Sequence, residues 1–302
     1  MDRAQWLEER KKGIGGSDLA PILGISPYST ALDIYNEKLS LVTKEKTEST
    51  AMMMGNILEP VIRDMYVEVT GEEMEKHDQI IRKDFMIASL DGLTKSGKVL
   101  EIKTARNDKG WGEEGTDEIP IHYATQVQHY LMVTGAELAD VAVLIAGSDF
   151  RIYTVHANKE LQELIFKKEK EFWEMVQNKT PPEPQNSNDL SILYPHSSLD
   201  SIDITPEIRD KIGLLAILSK EYKDLDVRIE SLKFQLKSFM KDSECILDAG
   251  NPIVTYKSTK GRVTTKWEEV VIALEQKYGE EVKKIIQEKT SESKGYRRFL
   301  IK

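Results

Sequence analysis

The sequence predicts an α/β fold, in which a mixed sheet is flanked by helices and followed by a long C-terminal helix and a small α+β extension. Three observations predict it. Short β-prone runs alternate with helical patterns up to about residue 180, a proline-rich polar stretch follows, and apolar residues then repeat at helical spacing. We therefore divide the chain into a core of residues 1–180, a linker of residues 181–204 and a C-terminal part of residues 205–302.

The core elements begin with predicted helices over 29–42 and 50–71. The second ends at Gly71, a residue type common at helix C-termini because it adopts positive φ without strain. The later predicted elements are strands around 79–82, 86–90 and 99–104, a helix over 123–134, strands over 139–147 and 150–156, and a helix over 158–178. This order of helices and strands predicts one sheet with helices packed on it.

The C-terminal part begins with a long predicted helix, capped by Thr205 with Pro206 at its first helical position. A heptad seam runs along it, formed by Leu215, Leu218, Tyr222, Leu225, Ile229, Leu232, Leu236 and Phe239. Packing on its own domain and contact with a partner or second subunit both fit this period, and we favour the first.

The remainder of the C-terminal part predicts a small α+β unit. A hairpin is expected around Gly250 and Asn251, followed by an amphipathic helix over 267–289. The chain ends in "SKGYRRFLIK", which is both basic and aromatic.

Composition excludes several classes of protein. The hydrophobic fraction of 40% and the charged fraction of 31% are typical of globular proteins. No run has the length and hydropathy of a signal peptide or a membrane span. Cys245 is the only cysteine, which excludes a disulfide framework, a cysteine-rich zinc site and an iron–sulfur cluster held by one chain. We expect a cytoplasmic protein without a membrane partner.

The net charge of −9 is unevenly distributed. Residues 204–302 contain 20 Lys and Arg against 16 Asp and Glu, whereas the first 203 residues contain 22 against 35. An acidic first part is compatible with DNA chemistry when its carboxylates cluster around metal ions, which bring positive charge of their own.

The stretch "SLDGLTKSGKVLEIKTARN", residues 89–107, predicts a hairpin with charged residues in its strands. The β-prone runs "MIASL" and "KVLEIKT" lie on either side of a turn at 95–98. Asp91 precedes the turn, and Glu101 and Lys103 follow it on one face of a strand. Such charges are costly in a buried strand unless they are paired or hold a metal.

Two converging carboxylates and the carbonyl group of Ile102 suit a hard divalent cation such as Mg²⁺, with Mn²⁺ as an alternative. The ammonium group of Lys103 can orient or activate a water and stabilise charge on a phosphodiester. The alternative is a surface hairpin whose charges pair across its strands.

Side chains on two helices can complete such a site. Glu59, on the helix before the sheet, is a third carboxylate or simply a solvated helical acid. Gln126 and Tyr130 lie one turn apart on the helix after the Glu-Ile-Lys strand, where they suit contacts with a phosphate backbone or base edges. The alternative is a helix whose glutamines face water.

Together these motifs resemble a known family. Gly-x-x-x-Glu on a helix, Asp and Glu-x-Lys on a hairpin, and Gln-x-x-x-Tyr on a helix form the pattern of exonuclease-type PD-(D/E)XK nucleases, which have a restriction-endonuclease-like fold. The stretch "WLEERKKGIGGSDLAPILGISPYSTALDIYNEK" resembles the N-terminal signature of the YqaJ-like viral recombinases, relatives of the phage lambda type of alkaline exonuclease. The resemblance covers about residues 1–155, and the final "YRRFLIK" also resembles phage members.

The resemblance implies catalytic roles for the charged residues of the hairpin and for Glu59. Asp91 and Glu101 would be metal ligands, assisted by the Ile102 carbonyl group. Lys103 would position the attacking water, and Glu59 would support the metals.

The resemblance also implies a pocket for a 5′-terminal phosphate, formed by Arg10 and Ser17 with Ser89. A guanidinium group can bind two phosphate oxygens, and the neighbouring glycines let backbone N–H groups approach an anion. Gln126 or Gln128 would lie near the scissile nucleotide, and the sequence leaves open which.

The implied activity is a metal-dependent 5′-to-3′ exonuclease that degrades one strand of linear duplex DNA to 5′ mononucleotides and leaves 3′ single-stranded overhangs. Implied partners are double-stranded DNA ends, a single-strand annealing protein and further copies of the chain, as a trimer. A phage or prophage protein in the bacterial cytoplasm is implied. Two alternatives are an endonuclease of restriction or resolvase type and a non-catalytic DNA-end-binding adaptor.

Overall fold

The structure is a computed structural model that describes residues 3–41, 49–75, 80–198, 200–261 and 263–291. The chain falls into two units, Met1–Leu193 and Tyr194–Lys302. The boundary between them lies inside the segment 181–204 that the sequence predicts as a linker. None of the helices in the described ranges has the length and apolar content needed to cross a bilayer.

The first unit is a mixed α/β arrangement. Its helices are α1 Arg3–Lys11, α2 Leu19–Ile22, α3 Ala31–Lys38, α4 Thr50–Thr70, α5 Ile121–Thr134, α6 Lys159–Gln177 and α7 Ser187–Leu193. Its strands are β1 Ile14–Gly15, β2 Ile81–Lys83, β3 Met86–Ala88, β4 Gly92–Leu93, β5 Val99–Ala105, β6 Leu138–Ile145 and β7 Asp149–His156. A 3₁₀ turn, Gly16–Asp18, connects β1 to α2.

Two sheets share this unit. The larger has the strand order β4-β5-β6-β7, in which β5 and β6 are parallel and the outer pairs are antiparallel. The smaller has the order β1-β3-β2, with β1 parallel to β3. The predicted mixed α/β fold with flanking helices is therefore confirmed, whereas the strands form two sheets and not the single sheet expected.

Strand β6 is buried on both faces, as expected of a central strand that follows a parallel partner. Val141 and Val143 join an apolar cluster that includes Val127 of α5. Ala142, on the opposite face, joins a cluster that includes Ile62 of α4. Helices α4 and α5 thus cover opposite faces of the sheet, and both carry predicted site residues.

Most predicted boundaries agree with the structure to within a few residues. Helix α4 ends before Gly71, which has φ of 70° as a left-handed cap requires. The strand expected around 79–82 is β2, Ile81–Lys83, and residue 79 lies outside the described residues. Strand β1 and helices α1, α2 and α7 were not predicted from the sequence. The first and third of these are only two and four residues long, and α7 lies in the segment predicted as a linker.

The predicted hairpin is wrong in one respect. The run "MIASL" forms β3 of the smaller sheet, whereas the partner of β5 is the short β4, with Gly92 opposite Leu100. A β-carbon at Gly92 would lie 2.3 Å from Cε of Met74 and 3.2 Å from Cβ of Leu100, so a larger residue here would require the Met74 side chain to move. Asp91 therefore lies where the chain leaves one sheet and enters the other.

The second unit contains α8 Pro206–Met240, β8 Cys245–Asp248, β9 Asn251–Thr255, α9 Trp267–Tyr278 and α10 Glu280–Lys289. The long helix and the hairpin occur as predicted. The single helix expected over 267–289 is two helices, because Gly279 adopts φ of +60° and interrupts it. The terminal "SKGYRRFLIK" lies outside the described residues.

The heptad seam of α8 is exposed along its length. Its side chains range from 39% exposed at Leu215 to 75% exposed at Phe239. Packing of the seam on its own domain, the interpretation favoured from the sequence, is therefore not seen within this unit. A contact with a partner or second subunit stays a prediction.

Candidate active site

A cavity of about 340 Å³ in the first unit collects most of the predicted site residues. Its walls come from α1, from β1 with the 3₁₀ turn that follows it, from α4, β5 and α5, and from the segment that connects β3 to β4. Nine of the eleven predicted residues line it, namely Arg10, Ser17, Glu59, Ser89, Asp91, Glu101, Lys103, Gln126 and Tyr130.

Asp91 and Glu101 form the acidic side of this cavity. One carboxylate oxygen of Asp91, Oδ2, accepts a hydrogen bond of 2.7 Å from the backbone N–H of Ile102. Glu101 is 1% exposed, and its Oε1 contacts the ammonium group of Lys103. Its other oxygen, Oε2, is buried without a hydrogen-bond partner in the described part of the chain. A buried carboxylate oxygen in this state is costly unless a cation or donor meets it.

The local charges shift the pKa values of both Glu101 and Lys103. Burial raises the pKa of the Glu101 carboxyl group, and the negative charge of Asp91 raises it further. Burial lowers the pKa of Lys103, but the charges of Glu101 and Asp91 outweigh this, so the net shift is upward. Lys103 is therefore held as a cation, and a further positive charge would stabilise the ionised form of Glu101.

Glu59 approaches the same acidic side from α4. Burial raises its pKa, as does the negative charge of Asp91. Arg63, one turn further along α4, donates hydrogen bonds of 2.6 Å to Glu59 Oε1 and of 2.8 Å to the carbonyl oxygen of Asp91. Arg63 was not predicted from the sequence, although the Glu59–Arg63 spacing of four residues on a helix is a recognisable signal.

Gln126 and Tyr130 close the floor of the cavity. Nε2 of Gln126 donates hydrogen bonds of 2.8 Å to Glu101 Oε1 and of 3.0 Å to the hydroxyl group of Tyr130. A β-carbon at Gly16 would lie 2.6 Å from the Tyr130 ring and 3.1 Å from Gln126 Cγ. Position 16 must therefore be glycine for the 3₁₀ turn after β1 to pack against α5.

Arg10 and Ser17 form the opposite side. Nη2 of Arg10 lies 3.3 Å from Ser17 Oγ, and the guanidinium group lies over the Trp6 ring at 5.0 Å. Nε1 of Trp6 donates 3.3 Å to Ser89 Oγ. The residues that the resemblance assigns to a phosphate pocket are thus adjacent, although they come from α1, the 3₁₀ turn and the end of β3.

Asp18 and Lys38 are charged residues near this pocket that were not predicted from the sequence. Asp18 is fully buried, pairs with Arg10 through Oδ1, and accepts 2.6 Å from the ammonium group of Lys38 through Oδ2. Burial raises the pKa of Asp18, but the charges of Lys38 and Arg10 outweigh it and lower the pKa to about 2. No local sequence signal reveals this cluster, because the residues come from different elements.

Gln128 and Ile102 do not line the cavity. The Gln128 amide group donates a hydrogen bond of 2.7 Å to the carbonyl oxygen of His156, and it accepts hydrogen bonds from Asn158 N and Gln162 Nε2. These bonds link α5 to the start of α6. Gln126 is therefore the better placed of the two glutamines. The Ile102 side chain packs in the apolar cluster under α4, on the face opposite Glu101 and Lys103.

The acidic side fits a hard divalent cation. Among the described residues, no group of three or more His, Cys, Asp and Glu side chains is gathered closely enough to hold a metal ion by itself. Mg²⁺ commonly binds through one or two carboxylates and completes its shell with water and substrate phosphate. Asp91 and the unpartnered oxygen of Glu101 provide such a set.

Comparison with known sequences identifies the family. The YqaJ-like viral recombinase domain matches residues 5–137. The uncharacterized protein YqaJ of Bacillus subtilis (strain 168) is 34% identical over 258 residues, which are 81% of this chain and 80% of that protein. The chain belongs to the YqaJ-like viral recombinase family. The family match spans α1 to α5, and therefore every residue that lines the cavity.

Solved structures of exonucleases are similar to this YqaJ-like chain at low sequence identity. The alkaline exonuclease LHK-Exo from Laribacter hongkongensis is 17% identical, with a TM-score of 0.48, over 59% of this chain and 94% of that one. A phage-related exonuclease from Haemophilus somnus 129PT is 16% identical, with a TM-score of 0.41, over 55% of this chain and 96% of that one.

Proposed function

We propose that this YqaJ-like protein is a metal-dependent exonuclease that degrades one strand of linear duplex DNA in the 5′-to-3′ direction. One observation carries the proposal. A single cavity contains carboxylates and a lysine suited to phosphodiester hydrolysis, and an arginine with serines suited to a terminal phosphate. A hydrolytic site and a terminal-phosphate site in one cavity suit a nuclease that starts at a free 5′ end.

Asp91 and Glu101 would hold Mg²⁺, with the Ile102 carbonyl group as a further ligand and Mn²⁺ as an alternative ion. When bound, the ion would supply positive charge that stabilises the developing charge on the phosphodiester. Lys103, kept cationic by its carboxylate neighbours, would orient the attacking water and stabilise the same charge. Gln126 holds Glu101 in place through a hydrogen bond of 2.8 Å.

Arg10, Ser17 and Ser89 would bind the 5′-terminal phosphate at the opposite side. The guanidinium group is always charged and can donate to two phosphate oxygens. Anchoring the terminal phosphate would place the first internal phosphodiester beside the carboxylates, so each cut would release one 5′ mononucleotide. Repeated cutting would leave a 3′ single-stranded overhang.

The proposed product suggests the partners. A 3′ overhang is the form of DNA that a single-strand annealing protein pairs with a complementary strand, and the family name, viral recombinase, supports such a partner. The resemblance to the phage lambda type also leads us to propose a homo-oligomer, a trimer, acting in the cytoplasm of a bacterial host.

The test is hydrolysis of three matched duplexes with Mg²⁺, namely linear with 5′-phosphate, linear with 5′-hydroxyl and covalently closed circular. The proposal expects mononucleotides from the phosphorylated linear form, an intact circle and no products once EDTA removes the metal. Labels at the 5′ and 3′ termini identify the end from which nucleotides are lost.

Other outcomes favour the alternatives. Cutting of the circle would indicate an endonuclease of restriction or resolvase type. Binding to DNA ends without products in Mg²⁺ or Mn²⁺ would indicate a non-catalytic adaptor. Loss of label from the 3′ terminus first would contradict the proposed direction.

A further inference from the structure

A buried cluster of charges lies directly behind the proposed phosphate pocket. Asp18 and Lys38 do not line the cavity, yet their side chains are fully buried and paired with each other at 2.6 Å. Both contact Arg10, which does line it. The cluster therefore connects the protein interior to the residue proposed to bind the DNA end.

Each contact of the cluster fixes a different part of the pocket. Asp18 Oδ1 pairs with the guanidinium group of Arg10, and Asp18 Oδ2 accepts 2.9 Å from the N–H of Gly15, a pocket residue. The ammonium group of Lys38 donates 2.8 Å to the backbone carbonyl oxygen of Arg10. Both the backbone and the side chain of Arg10 are thus held by groups that substrate cannot reach.

Stability alone is a weak explanation for this arrangement. A buried ion pair adds little net stability, because the cost of removing both charges from water offsets their attraction. Two cations surround one fully buried carboxylate, and Glu37, at 3.8 Å from Arg10, is the other acid in contact. Without Lys38, Arg10 would be the only one of these two cations left beside Asp18, so the carboxylate would neutralise the guanidinium charge and weaken its attraction for an incoming phosphate.

The hydrogen-bond geometry of Arg10 leaves room for a ligand. Within the described part of the chain, the hydrogen bonds from its side chain, to Ser17 and Asp18, both use Nη2. A guanidinium group has five N–H donors in a fixed plane, so fixing one nitrogen sets the direction of the remaining donors. A phosphate can then be bound by a donor fork that is already oriented.

We propose that Asp18 and Lys38 are positioning residues that set the preference for 5′-phosphate over 5′-hydroxyl DNA ends by orienting Arg10. This inference rests on the proposed exonuclease function. It adds that the selectivity for a terminal phosphate depends on two side chains that never touch the DNA.

The test measures kcat and KM of the full-length chain on linear duplexes with 5′-phosphate and 5′-hydroxyl ends. Lys38→Met keeps the length of the side chain and removes its charge, and Asp18→Asn removes the central carboxylate. We expect the preference for phosphate to fall about tenfold or more, the worth of one hydrogen bond to a charged group, mainly through KM on the phosphorylated duplex. Lys38→Arg should restore part of the preference.

Lys11→Met is the matched control, because Lys11 pairs with Glu8 on the surface of the same helix as Arg10 and does not line the cavity. A loss of structure would lower activity on both duplexes by the same factor, whereas a positioning role changes their ratio. Circular dichroism shows whether each variant is folded. If Asp18→Asn does not fold, Lys38→Met decides, since Asp18 keeps its contacts with Arg10 and Gly15.

The results separate this inference from the proposed function. A wild-type preference for phosphate that survives in both folded variants overturns the positioning role and leaves the exonuclease proposal intact. Equal losses on both duplexes also overturn it. A wild-type enzyme without any preference refutes the phosphate pocket itself, and this inference with it.

Discussion

The two sides of the cavity balance their charges in different ways. On the acidic side, Asp91, Glu101 and Glu59 lie around one lysine, and a buried carboxylate oxygen has no partner in the described chain. On the basic side, Arg10 and Lys38 share a buried carboxylate whose two oxygens are both bonded, and the partly exposed Glu37 lies 3.8 Å from Arg10. One side has an excess of acceptors and the other an excess of donors.

Under the proposed function, this difference would let one pocket bind two parts of the same DNA strand. An excess of buried acceptors suits a cation, which then attracts a phosphodiester, whereas an oriented donor fork suits the phosphate directly. Substitutions on the acidic side should therefore affect the chemical step, and substitutions on the basic side should affect the choice of DNA end.

The largest expected effect is on the acidic side. Lys103→Ala should lower kcat by roughly 10³-fold, because it removes the group that we propose orients water and stabilises charge in the transition state. DNA binding, measured by fluorescence anisotropy, should change little. Lys95→Ala, in the exposed turn that joins β4 to β5, is the control. A Lys103→Ala variant that retains cleavage would contradict the assigned role.

The basic side should give a smaller and more selective effect. Arg10→Ala should lower kcat/KM on 5′-phosphorylated duplex by about 10- to 100-fold, the loss of charge-assisted hydrogen bonds, and should affect 5′-hydroxyl duplex much less. Arg82→Ala is a matched control, because Arg82 pairs with Glu9 of the same helix but does not line the cavity. Equal losses of kcat/KM on both duplexes would contradict a role of the basic side in selecting the DNA end.

Metal binding should be visible without any DNA. A bound divalent ion stabilises the folded state by mass action, so Mg²⁺ or Mn²⁺ should raise the melting temperature of the wild-type protein by a few degrees. Asp91→Asn should abolish this increase, whereas Arg10→Ala should preserve it. Differential scanning fluorimetry with and without the ion makes the comparison. An undiminished increase in Asp91→Asn would place the ion elsewhere.

The smallest expected effect concerns acid stability. Because the pKa of Asp18 is lowered from 3.8 to about 2, its ionised form stabilises the fold above pH 4, and this contribution is lost as pH falls through 2. The linkage amounts to about 2 kcal/mol in the free energy of unfolding. Chemical denaturation between pH 4 and 2 should show a shallower decline for Asp18→Asn than for the wild type. Parallel curves would contradict the contribution of Asp18.

The acidic side could be predicted from sequence because it is nearly contiguous. Asp91, Glu101 and Lys103 lie within one stretch, and the two-residue period of a strand places Glu101 and Lys103 on one face. The pairing partner was misassigned because "MIASL" and the two residues of β4 are both plausible strands, and only tertiary packing around Gly92 selects between them.

The support of the basic side could not be predicted, because its residues come from separate elements and look like ordinary surface charges. Lys38 is the last residue of α3 and Asp18 the last of a turn, positions where charged residues are common in solvent. The seam of α8 illustrates the same limit, since a heptad period predicts an apolar face but not what covers it.

The segment after α6 is attached to the first unit more firmly than its proline-rich composition predicts. The Gln185 side chain accepts a hydrogen bond of 3.0 Å from Ala31 N, at the start of α3, and donates one of 3.2 Å to the Pro21 carbonyl oxygen. Asp189, fully buried in α7, accepts 3.0 Å from Thr30 Oγ1. Limited proteolysis should therefore spare this segment. A shortened form of the chain should end after Leu193, because a form that ends at residue 180 would lose the contacts of Gln185 and Asp189 with the start of α3, the helix that carries Lys38.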